Sequence, residues 1–79
     1  MKKYTFTIVI EKEPEDPGYY AHVPALPGCV SAGLTIEELR ENIVEAIHLY
    51  IESLVQDGLP IPDADNPVQV ERVTVAISA

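Results

Sequence analysis

The sequence predicts a two-layer α+β domain with the element order β-β-β-α-β. Three observations carry this. The chain opens on a strict apolar alternation. A capping box leads into a long helix with a 3.6-residue apolar period. A second β-like run follows the helix after a proline-rich linker. The 79 residues make one domain, 1–79, and a chain this short buries only a modest core.

Tyr4, Phe6, Ile8 and Ile10 alternate with Thr5, Thr7, Val9 and Glu11. Period two with β-branched and aromatic residues predicts a strand over roughly 3–12, its fully apolar face toward the core. Glu13-Pro14-Glu15-Asp16-Pro17-Gly18 cannot continue it and reads as a turn. A second strand is expected over 19–23, with Tyr19, Ala21 and Val23 on one face and Tyr20 and His22 on the other. The short connection predicts an antiparallel hairpin. Pro24, Pro27 and Gly28 interrupt pairing and form a rigid structural corner, and residues 29–32 make a short third strand.

Thr35-Ile36-Glu37-Glu38 has the form of a helix cap. The Thr35 hydroxyl can accept from the Glu38 amide, and the Glu38 carboxylate can reach back. Ile36, Leu39, Ile43, Ala46, Ile47, Tyr50, Ile51 and Leu54 recur at helical spacing. Gly58, with Pro60 and Pro62 beyond, supplies the stop, so the helix is expected over about 36–57. Leu49 lies off the apolar stripe, and Val44 and Val55 lie at its edge. Residues 59–67 read as a linker. The last strand, about 68–78, places Val73, Val75 and Ile77 on one face, with a change of phase near Glu71 and Arg72. The helical crossover predicts that it returns parallel to the sheet.

Composition narrows the function classes. Thirteen acidic residues against five basic give a formal net charge of -8. That charge repels phosphates, so no direct nucleic-acid binding by this chain is expected, and basic partners are favoured. The residues are 47% hydrophobic and mean hydropathy is +0.08, which reads as globular. No apolar run approaches the ~20 residues of a bilayer span and no secretory signal is read at the start, so no membrane partner and a cytoplasmic location are expected. Cys29, the one cysteine, excludes an internal disulfide and reads as a small core residue.

At this point the sequence resembles a known family. Tyr4 and Ile10 on the first strand begin the likeness. Gly18-Tyr19-Tyr20-Ala21-His22-Val23-Pro24, Leu26-Pro27-Gly28-Cys29-Val30 and Gly33-Leu34-Thr35-Ile36-Glu37-Glu38 continue it. Glu45-Ala46-Ile47, Tyr50-Ile51 and Asp57-Gly58-Leu59-Pro60-Ile61-Pro62 extend it over nearly the whole chain. Together these are similar to the HicB family. The resemblance implies a partial ribonuclease-H-like fold without nuclease activity, and homo-oligomers (a dimer or tetramer). It also implies a partner: a small basic HicA-type toxin that cleaves messenger RNA and is neutralised by binding. Many members add a C-terminal DNA-binding domain. This sequence stops at Ala79, where that domain would begin, so promoter binding is not expected of it. The alternative is a stand-alone homo-oligomeric interaction module without a toxin partner.

No enzyme, cofactor or metal site is expected. A two-metal nuclease needs carboxylates converging from strand and helix. The centre of the first strand holds Thr7, Ile8 and Val9, and Glu41, Glu45 and Glu52 project from the polar side of the helix. His22 and His48 have no ligand spacing. The candidate partner-binding residues are Glu11, Glu13, Glu15 and Asp16 at one hairpin end, with Tyr20 and His22 on one strand face. The acids could steer a basic partner, and they also read as a solvated turn.

Overall fold

The computed structural model describes residues 3–62 and 73–76. The strands are β1 (Val9–Glu11), β2 (Tyr19–His22) and β3 (Val30–Gly33), followed by the helix α1 (Ile36–Gln56). The strands form one antiparallel sheet in the order β1-β2-β3. The helix packs across β3 and β2 on one side of it. Among the described residues this is an α+β fold with a three-stranded sheet and one covering helix.

Local chemistry explains each join. In the hairpin turn the Asp16 amide donates to the Glu13 carbonyl at 3.2 Å, and the Gly18 amide donates to Asp16 Oδ1 at 2.8 Å. An aspartate that caps the amide two residues on is a recurrent turn device. Between β2 and β3 the chain folds tightly. The Val23 amide donates to the Cys29 carbonyl at 3.1 Å, the Leu26 amide to the Val23 carbonyl at 2.9 Å and the Cys29 amide to the Leu26 carbonyl at 2.9 Å. Gly28 takes φ 84° there, a left-handed conformation that glycine adopts without Cβ strain. The folding of this corner drives Leu26 fully into the core.

The helix starts at Thr35, whose Oγ1 accepts from the Glu38 amide at 3.1 Å. Glu37 and Glu38 occupy its first turn, where negative charge suits the helix dipole. It stops at Gly58, φ 68°, where the Leu59 amide reaches back to the Leu54 carbonyl at 2.9 Å. That bond satisfies a carbonyl the helix leaves orphaned. Gly33 lets helix and sheet approach closely, because a Cβ there would lie 2.6 Å from the Leu39 amide nitrogen. The core is Ala21, Val23, Leu26, Cys29, Leu39 and Ile43, with Phe6, Ile8, Tyr19, Ala46, Ile47, Tyr50 and Ile51 packed around it.

The structure corrects two expectations. The first strand is shorter than 3–12. Extending the β1–β2 register would set Thr7 against Pro24, and proline has no N–H to give the ladder. Nor does the whole apolar face of that strand meet the core. Phe6 and Ile8 pack against it, but Tyr4 and Ile10 are exposed, because the helix lies over β3 and β2 and does not reach β1. Of the last expected strand, 68–78, only residues 73–76 lie within the described residues. They are not in a strand there, and Val73 and Val75 are 77% and 69% exposed.

Candidate functional site: the uncovered face of the sheet

Residues opposite one another in a sheet share a face. The register therefore builds two cross-strand rows on the side away from the helix. One is Val9, His22 and Val30, and the other is Glu11, Tyr20 and Ala32. Tyr20 and Val30 are among the exposed large apolar residues, Val30 at 64%. The face is thus a small apolar surface with a carboxylate, a phenol and an imidazole set into it. His22 Nδ1 lies 3.8 Å from Glu11 Oε1, an ion pair whenever the imidazole is protonated.

Asp16 anchors the edge of this face. The Tyr20 hydroxyl donates to Asp16 Oδ2, and Lys12 Nζ donates to the Asp16 carbonyl at 2.8 Å. The Tyr20 and Gly18 hydrogen bonds stabilise the ionised carboxylate and hold the Asp16 pKa below its ordinary value. The same Asp16 bond raises that of Tyr20, since it favours the protonated phenol. Lys12 also stands 5.5 Å from the centroid of the Tyr19 ring, within cation–π range.

The sequence-predicted residues separate into three places. Glu11, Tyr20 and His22 come together on the uncovered face, with Asp16 bound to Tyr20 at its rim. Glu13 and Glu15 sit exposed on the turn, outside the two rows. Thr35 and Glu38 lie at the same end of the sheet as that turn, because Tyr19 pairs with Gly33. Pro24, Pro27 and Gly28 lie at the opposite end. One end of the molecule thus gathers Glu13, Glu15, Asp16, Glu37 and Glu38.

Val9, Val30 and Ala32 belong to the face and were missed from sequence. The alternation of residues 29–32 with β2 was the available signal, but it needed the register to be read.

The remaining chemistry-bearing residues stay apart. Among the described residues no group of three His, Cys, Asp or Glu side chains is placed to hold a metal ion. Glu41, Glu45 and Glu52 are exposed on the helix. Cys29 is buried, and burial pushes its thiol pKa up, which is the environment of an inert thiol. Among the described residues no helix is long and apolar enough to cross a membrane.

Comparison with known proteins places this arrangement. Residues 6–76 match the profile of the HicB_like antitoxin of bacterial toxin-antitoxin systems. A UPF0150 protein of Synechocystis sp. is 52% identical over 62 residues, covering 78% of this chain and 77% of that protein. A UPF0150 protein of Thermoplasma acidophilum is 47% identical over 70 residues, covering 89% and 94%. Among solved structures, a chain of the HicA3 and HicB3 toxin-antitoxin complex superposes with a TM-score of 0.61 at 33% identity. That match covers 72% of this chain and 64% of the other. With the match running through nearly the whole sequence and the fold agreeing, the chain belongs to the family of HicB-like antitoxins.

Proposed function

We propose that this protein is an antitoxin that binds a small basic HicA-type toxin and blocks its cleavage of messenger RNA. Family membership carries the reading, and the likeness to a chain from a toxin-antitoxin complex supports it. The uncovered sheet face is the proposed docking surface, with Val30 and Tyr20 as apolar anchors and Glu11, Asp16 and His22 as polar contacts. The acidic end of the molecule steers the toxin in, since complementary charge raises the encounter rate and falls off with salt. The chain acts by covering its partner, without a cofactor or chemistry of its own. It works in the cytoplasm, where messenger RNA is cleaved, as a dimer or tetramer with the partial ribonuclease-H-like core implied by its family.

The test pairs the full chain with the HicA-type protein encoded in the same genome. Calorimetry measures binding at two salt concentrations, and a ribonuclease assay measures inhibition. The expected result is a stoichiometric complex that silences cleavage and weakens as salt rises. Val30→Asp and Tyr20→Ala should each weaken it by roughly tenfold or more, as anchors at an interface do. Undiminished cleavage with excess antitoxin would refute the reading. Wild-type affinity in both variants would move the interface elsewhere. Light scattering on the free chain reads the oligomer.

A further inference from the structure

We infer, on the strength of the docking role proposed for the uncovered face, that Asp16 is a positioning residue: it holds the Tyr20 hydroxyl and so presets the ring for its partner.

The lever is the shape of the tyrosine side chain. Its Oη lies on the line through Cβ and Cγ, so χ1 alone fixes where that oxygen stands. χ1 has three staggered wells, and a change of well carries Oη several ångströms away. One hydrogen bond at Oη therefore selects one well, while ring flips about the same line stay possible. The Tyr20 hydroxyl makes that bond to Asp16 Oδ2.

A tether works only if its far end is fixed, and Asp16 is held at three other points. Its amide donates to the Glu13 carbonyl, its carbonyl accepts from Lys12 Nζ and its Oδ1 accepts from the Gly18 amide. Gly18 leaves the carboxylate room, because a Cβ there would lie 3.3 Å from Oδ1. Asp16 is half-buried between the exposed Glu15 and Pro17.

The selected well matters for the face. Tyr20 pairs with Glu11 and Ala32. Val9 and Val30 are therefore its diagonal neighbours, within reach of an aromatic ring. Bound to a residue of the turn, the ring leans toward the turn end of the sheet, and Val30 stays exposed. Released, the ring is free to fold over Val9 and Val30 and cover the row a partner would use. Docking would then have to draw the ring back and order it. A side chain ordered beforehand removes that cost from binding, a difference of roughly two- to tenfold in affinity.

Three-bond Hα–Hβ couplings of Tyr20 in the free full chain read the rotamer. One dominant χ1 well is expected in the wild type, and averaging among wells in Asp16→Ala and Tyr20→Phe. Glu15→Ala removes the same charge one residue away and should keep the single well. Tyr20→Phe leaves the bond between Asp16 and Gly18 in place, so it decides if Asp16→Ala does not fold. A wild type that averages, or a Tyr20→Phe ring that keeps the single well, overturns the proposal. Calorimetry with the HicA-type protein encoded in the same genome completes a double-mutant cycle. Each single substitution should weaken binding roughly two- to tenfold, and the double variant should bind no worse than the weaker single. Losses that multiply would make Asp16 and Tyr20 independent contacts and overturn the positioning role. A wild type that forms no complex at all would instead refute the docking role, and the couplings alone would then judge the lock.

Discussion

Asp16 is the residue on which the hairpin's electrostatics turn. Its carboxylate accepts from the Tyr20 hydroxyl and the Gly18 amide, and its carbonyl accepts from Lys12. Its pKa is lowered in the folded chain. The stability it contributes is therefore present above the ordinary aspartate range and lost as pH falls through the folded value. Tyr20 runs the other way. Its pKa is raised, so its contribution holds below the ordinary phenol value near 10 and fades as pH rises through the folded one. Asp16→Asn is expected to flatten the acid side of the stability profile. Urea unfolding at pH 7, 4 and 3 would measure it, and a variant that loses stability in acid as steeply as the wild type contradicts the assignment. Tyr20 and His22 sharing a face was legible from alternation alone. That Glu11 joins them, and that Val30 stands beside His22, was not, because both follow from register between separate strands.

At the scale of the element, the helix is written locally and β1 is not. Thr35, Glu38 and Gly58 are short-range signals, and the helix runs Ile36–Gln56, close to the span expected from them. Thr35→Ala should cost about 1 kcal/mol by removing the side-chain acceptor of the Glu38 amide, with Thr35→Ser close to neutral. Chemical denaturation of the two variants compares them directly. A loss equal in both would place the effect in the methyl group and not in the cap. For β1 the deciding residue is Pro24, which lies in another element and withdraws a donor from the position facing Thr7. No window along residues 3–12 contains that information. The exposure of Tyr4 and Ile10 has the same origin, since it depends on which strands the helix covers.

Across the described residues, a core of Ala21, Val23, Leu26, Cys29, Leu39 and Ile43 ties the two layers together. Leu26, Leu39, Ile43 and Val23 are its largest fully buried side chains. A core of this size leaves stability marginal. Leu26→Ala should cost about 2–5 kcal/mol, the range for deleting a buried leucine side chain, and bring the isolated chain near unfolding. Thermal melting followed by circular dichroism is the check. A shift of only a degree or two would mean that the corner relaxes into the space.

That corner is also bound to the far half of the helix, because the Tyr50 hydroxyl donates to the Pro27 carbonyl at 2.9 Å. Leu26 inside the core and Pro27 held from above tie opening of the corner to opening of the helix. The corner's amides and those around Tyr50 are expected to exchange with solvent as one cooperative unit, since opening either breaks the bond that holds the other.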